Sequence, residues 1–121
     1  MARILVVDDD PAVREMLTDI LSAEGHRVAE AGDGQEALVA IRRALPDLVV
    51  TDLLMPTMGG LKLIGEIQKN HPAVRIIAIS GGARGMGMNF LSVARTYGVR
   101  TLNKPFHRRE LLEAVGQTLS A

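Results

Sequence analysis

Ile4-Leu5-Val6-Val7-Asp8-Asp9-Asp10-Pro11 decides the architecture. Four consecutive apolar residues, three of them β-branched, read as a strand buried on both faces, and the acidic triplet with proline ends it abruptly. Beyond it Val13, Met16, Leu17, Ile20 and Leu21 recur at i, i+3, i+4, i+7 and i+8, the apolar stripe of an amphipathic helix. Asp10 stands at its N-cap and Pro11 in its first turn. A buried strand running straight into a helix is the opening of a βα unit, and the same alternation continues along the chain. Five strands are expected in all, at Ile4 to Val7, Val28 to Ala31, Leu48 to Thr51, Val74 to Ile79 and Val99 to Leu102. Asp33 followed by Glu36 has the form of a capping box for a second helix through Ala37, Leu38 and Ile41, closed by Pro46. A third helix is expected from about Gly60 to Lys69 and a shorter one from about Met88 to Tyr97. The last carries Leu111, Leu112, Val115 and Leu119. Five repeats of βα with short connections favour a parallel sheet, wound right-handedly, with helices on both faces.

The 121 residues suit one domain, 1–121, able to bury a real core. Apolar residues make up 47%, yet Phe90, Tyr97 and Phe106 are the only aromatics, so Val, Leu, Ile, Ala and Met must fill the interior. Fourteen basic and fourteen acidic residues cancel. That removes the long-range positive field of a free-standing nucleic-acid binder or a membrane-surface protein, so direct nucleic-acid binding is not expected. With no cysteine, disulfides and thiolate metal sites are excluded, and a cytoplasmic location is expected. No apolar run approaches the roughly 20 residues of a membrane span, and the N-terminus lacks a signal peptide's pattern. Neither a repeat nor an interdomain linker is visible, and no output domain is expected.

In an open parallel sheet, ligands bind at the carboxyl ends of the strands. The polar residues at those ends form a short set: Asp8 and Asp9 after the first strand, Asp52 ending the third, Ser80 ending the fourth, Lys104 with Pro105 after the fifth. Two carboxylates about 5 Å apart repel by about 3 kcal/mol at an effective dielectric near 20, so three gathered at one edge imply a cation. Oxygen ligands without His or Cys suit Mg²⁺. A carboxylate beside a metal, a hydroxyl and an ammonium group is suited to accept a phosphoryl group as an acyl phosphate. Asp52 takes the nucleophile's part, Asp8 and Asp9 hold the metal, and Ser80 and Lys104 contact the phosphoryl oxygens.

The segments Ile4 to Pro11, Asp47-Leu-Val-Val-Thr-Asp52-Leu-Leu-Met-Pro-Thr-Met-Gly-Gly60, Ile76-Ile-Ala-Ile-Ser80 and Leu102-Asn-Lys-Pro-Phe106, in that order, closely resemble the receiver domain of bacterial two-component response regulators, chemotaxis-type single-domain members included. The resemblance implies a flavodoxin-like, doubly wound sheet of strand order 2-1-3-4-5. It implies Asp52 as phosphoacceptor, and Asp8, Asp9 and Asp52 as metal-binding acids with Leu54 a ligand through its backbone carbonyl. Ser80 becomes the switch hydroxyl and Lys104 the phosphate-contacting lysine. The cofactor implied is Mg²⁺ (or Mn²⁺), the donor a histidine kinase or histidine phosphotransfer protein, and the output a downstream protein that the sequence does not name. Only self-phosphorylation and self-dephosphorylation chemistry is expected.

Other features read as structural. Asp10, Asp33 and Asp47 sit where Asp caps and turns chains. His26, His71 and His107 lie far apart and are expected near the surface, and His107, Arg108 and Arg109 are expected to be solvated. The stretch Ser80-Gly-Gly-Ala-Arg-Gly-Met-Gly-Met has neither the Lys-Ser/Thr ending of a P-loop nor a dinucleotide fingerprint, and reads as a mobile loop. Where receivers often carry an aromatic residue three positions before the lysine, this chain has Thr101, and Tyr97 is the nearest candidate substitute. Two other functions fit parts of the pattern: a receiver-like interaction module that needs no phosphorylation, and a haloacid-dehalogenase-type phosphatase built on Asp8-Asp9-Asp10. The second leaves Asp52 and Met55-Pro56 unexplained.

Overall fold

The computed structural model describes residues 1–55, 58–80, 92 and 95–120. Its elements are β1 (Arg3–Val7), α1 (Pro11–Ala23), β2 (Arg27–Ala31), α2 (Gly34–Arg43), β3 (Leu48–Asp52), α3 (Gly60–Asn70), β4 (Arg75–Ser80), β5 (Arg100–Asn103) and α4 (Arg108–Ser120). All strand pairs are parallel, in the order β2-β1-β3-β4-β5. The expected helix from Met88 and the glycine-rich stretch after Ser80 lie outside the described residues, save that Ser92, Arg95 and Thr96 are helical. The fifth strand begins one residue later than expected, at Arg100.

Strand alternation divides the core in two. Leu5, Val7, Val49, Ile76 and Ala78 face α2 and α3, packing on Ala37, Ile41, Leu63, Ile64 and Ile67. Ile4, Val6, Leu48, Val50, Ile77 and Ile79 face α1 and α4, packing on Leu17, Leu21, Leu111, Ala114 and Val115. Both faces of the three inner strands are therefore covered, which is why their sequences run apolar without interruption. β2, at one edge, is exposed at four of its five positions to some degree and reads as a mixed pattern, Arg-Val-Ala-Glu-Ala.

Local chemistry sets the helix ends. The Asp10 carboxylate accepts the Ala12 N–H at 2.9 Å, with Pro11 opening the helix, as the sequence predicts. α1 then stops in a Schellman motif: His26 N–H donates to the Leu21 carbonyl at 3.3 Å and Gly25 N–H to the Ser22 carbonyl at 3.0 Å. Gly25 makes that turn at φ +90°, a conformation costly to any residue with a Cβ. Asp33 caps α2 through the Glu36 N–H at 2.8 Å, but Glu36 reaches past its expected partner to the N–H of Gly32 at 3.1 Å. Asp47 is structural: its carboxylate accepts the Arg3 N–H at 2.9 Å, its own N–H donates to the Arg3 carbonyl, and its carbonyl accepts from Arg75. It thus stitches β1, β3 and β4 at the edge away from the acidic residues.

Replacing Asp10 by Ala removes one cap while the Asp10 backbone N–H keeps its bond to Asp8. Urea unfolding should show a loss of about 1 kcal/mol with an unchanged denaturant slope.

Candidate functional site

The parallel sheet brings the ends of four strands to one edge, and the sequence-predicted residues meet there. Asp8 follows β1, is 2% exposed, and has every polar group engaged. Its N–H donates to the Ala31 carbonyl at 3.2 Å and its Oδ1 accepts the Asp10 N–H at 2.9 Å. Its Oδ2 lies 3.4 Å from Lys104 Nζ, and its carbonyl accepts Arg14 Nη1 at 2.8 Å. Asp9, next in the chain, is exposed. Asp52 ends β3 with its side chain 12% exposed; Oδ1 accepts the Leu53 N–H at 3.0 Å and stands 3.7 Å from Lys104 Nζ. Asp8, Asp9 and Asp52 each offer a carboxylate oxygen within 4.8 Å of the others.

Burial is the largest influence on Asp52 and pushes its carboxyl from 3.8 up to about 6. The Lys104 ammonium opposes the rise, Asp8 adds to it, the Leu53 N–H opposes it, and Asp9 adds again. Without a further cation the cluster is thus short of positive charge.

Ser80, at the end of β4, is 1% exposed, and its hydroxyl has no hydrogen-bond partner among the described residues. A buried hydroxyl left unpaired is costly unless a ligand completes it. Its carbonyl accepts the backbone N–H of Lys104 at 2.8 Å, tying the main chains of the two residues together. Leu54 lies half-buried in the segment between β3 and α3.

Residues read as structural stay outside. Asp10, Asp33 and Asp47 serve the caps and the strand staple already described. The three histidines do not converge: His26 Nδ1 accepts the Ala2 N–H at 3.1 Å, His71 is half-buried and His107 exposed. Arg108 is exposed and pairs with Glu24 at 3.4 Å across two helices. Thr101 is half-buried in β5 opposite Ala78, while Tyr97 is 43% exposed and so does not fill an aromatic's place inside.

Two residues escaped the sequence reading. Arg14 grips the Asp8 carbonyl, and Gly60 lets the first turn of α3 touch the backbone of Asp52. Both act through main-chain atoms, and no residue pattern signals that.

Known proteins resemble the chain in sequence and fold. Residues 4–116 match the model of the response regulator receiver domain. The chain is 35% identical to the chemotaxis protein CheY of Thermotoga maritima over 116 residues, covering 95% of each chain. It is 54% identical to the DNA-binding response regulator MtrA of Mycolicibacterium paratuberculosis over 115 residues, covering 93% of this chain and 49% of that one. The chain therefore spans about half the length of that relative, and 24% of the DNA-binding transcriptional regulator NtrC of Azospirillum brasilense. Among solved structures, the receiver domain of NtrX from Brucella abortus superposes with a TM-score of 0.88 at 35% identity, covering 98% of both chains. No described helix is long and apolar enough to cross a membrane. The chain belongs to the response regulator receiver domain family, regulatory domains of two-component signalling rather than classical enzymes.

Proposed function

We propose that the chain is a phosphorylation-dependent signalling switch that accepts a phosphoryl group on Asp52 from a histidine kinase or histidine phosphotransfer protein. The observation that carries this reading is the gathering of Asp8, Asp9 and Asp52 within one ligand sphere, with Lys104 beside both buried acids. Receiver domains work with histidine kinases and generally bind Mg²⁺ at an acidic pocket. The donor set here fits Mg²⁺ (or Mn²⁺): hard carboxylate oxygens, no nitrogen or sulfur ligand, and a burial-strained Asp52 that a cation would relieve. Asp8, Asp9 and Asp52 would hold the ion, with the Leu54 carbonyl, and it supplies Lewis-acid neutralisation of the transferring oxygens.

An ionised oxygen of Asp52 forms the new bond to phosphorus while the bond from phosphorus to the donor's leaving atom breaks, its electron pair departing with the donor. Burial keeps water from competing and holds that oxygen in one orientation against the Leu53 N–H. Lys104 supplies a fixed positive charge to the phosphoryl oxygens, and the unpaired Ser80 hydroxyl supplies a donor. Because Lys104 and Ser80 share a backbone hydrogen bond, drawing one inward draws the other, and the surface carried by β5 and α4 changes with them. A downstream protein reads that surface in the cytoplasm. Direct DNA contact by this domain has no support from its balanced charge.

Intact mass after incubation with a small acyl-phosphate donor tests the reading. Wild type with Mg²⁺ should gain one base-labile phosphoryl adduct, and Asp52→Asn or chelated protein none. An adduct that persists in Asp52→Asn would relocate the chemistry toward a phosphatase-like acid. Folded wild type that takes up none, from the small donor or from a histidine kinase, would leave an interaction module that works without phosphorylation.

A further inference from the structure

The Arg14 guanidinium spans two elements. Nη1 donates to the Asp8 backbone carbonyl at 2.8 Å, while Nε donates to the Glu30 carboxylate at 3.0 Å, in β2. Arg14 itself sits in the second turn of α1, its side chain 23% exposed against 41% for Glu30. It passes Gly32, where an added Cβ would stand in ordinary contact, 3.5 Å from Nη1. The turn between β1 and α1 carries both Asp8 and Asp9. On its inner side the Asp8 N–H is held by the sheet; on its outer side its carbonyl is held by Arg14.

We infer that Arg14 is the positioning residue of the metal-binding turn: its fork, braced by Glu30, fixes the main chain at Asp8 so that the Asp8 and Asp9 carboxylates stay aimed at one ion. The inference rests on the Mg²⁺ reading above. Groups that orient metal ligands without touching the ion typically contribute 10- to 100-fold in affinity, and a carbonyl held by a braced guanidinium is such a group. A single ammonium cannot serve both acceptors with the same fixed geometry.

The sign of the effect separates positioning from charge. Arg14 is a cation near an acidic cluster, so by charge alone its removal would tighten Mg²⁺ binding. Positioning demands the reverse. Mg²⁺ titration of the whole chain, followed by the amide resonances of Asp9 and Asp10 well below the unfolding midpoint, reads this without any phosphorylation. Arg14→Gln should raise the Mg²⁺ Kd about tenfold or more, and Arg14→Lys, which keeps the charge, should raise it by less. A mere loss of global stability would leave the Kd of the folded protein unchanged. Should Arg14→Gln not fold, Arg14→Lys carries the same expected direction. An Arg14 variant that binds Mg²⁺ as tightly as wild type, or more tightly, overturns the positioning role. Wild type that binds no Mg²⁺ overturns the metal reading itself, and the inference with it.

Discussion

Asp52→Asn should make the metal-free protein more stable at pH 7, by about 2–3 kcal/mol, while abolishing phosphoryl acceptance. The fold holds the Asp52 carboxyl at about 6 against 3.8 in a free chain. Below pH 3.8 the acid is protonated in both states and this contribution is fully present. Between 3.8 and about 6 the unfolded chain releases its proton while the folded one retains it, so each pH unit removes about 1.4 kcal/mol of stability. Above about 6 the loss is complete, near 3 kcal/mol in all. Asn is nearly isosteric, can keep the acceptor for the Leu53 N–H, and has no proton to lose. Thermal unfolding in chelator should therefore show the variant melting about 10 °C above wild type at pH 7, with the gap closing toward pH 4. Adding Mg²⁺ should narrow the gap by stabilising wild type selectively, since a ligand at a hundred times its Kd contributes about 2.7 kcal/mol. A gap that is the same at pH 4 and pH 7, or a wild type more stable than the variant in chelator, would refute the account. Under the proposed function the destabilisation has a use: a buried carboxyl with too little positive charge around it favours the arrival of a metal.

The second large effect belongs to α3. A Cβ on Gly60 would run into the Asp52 carbonyl oxygen and stand 2.7 Å from Leu53 Cα. Both are backbone atoms at the end of the central strand, where no side chain can swing aside. The same close approach lets the Gly60 N–H reach the Leu53 carbonyl at 3.0 Å. Gly60→Ala should cost about 3 kcal/mol or more, at the upper end of overpacking penalties, and slow phosphoryl acceptance by displacing Asp52. Gly65→Ala, five residues on in the same helix with nothing within 4 Å of the added carbon, should instead stabilise by about 0.5–1 kcal/mol. Urea unfolding of the pair measures the contrast directly. Equal and small effects at the two positions would mean that the β3–α3 junction is looser than its geometry shows.

What was legible in the sequence follows from which atoms carry the information. Val6-Val7-Asp8 and Val50-Thr51-Asp52 announce themselves because apolar runs stop at acids, and parallel topology sends all such stops to one edge. Asp10 announces itself because Pro11 follows it. Glu36 was legible as a cap partner but not in its aim at the Gly32 N–H, since a shift of one residue changes nothing in the residue pattern. Arg14 and the close approach at Gly60 were silent for another reason: their roles rest on distances to main-chain atoms set by packing, and an arginine on an amphipathic helix has the look of any solvated residue. The one-residue slip of β5 reflects the weak strand pattern of Val99 to Leu102 at a sheet edge, where burial enforces register least.

Among the described residues, both ion pairs to the buried acids, Asp8 and Asp52, come from Lys104, 96 residues downstream of Asp8. The acids of β1 and β3 and the lysine after β5 thus enter the sheet from opposite ends of the chain. Domains generally fold as units, so the carboxylates are gathered only in a sheet that also seats β5 and delivers their counter-ion. The far edge of the sheet is thereby bound to its centre by charge as well as by its strand pairing.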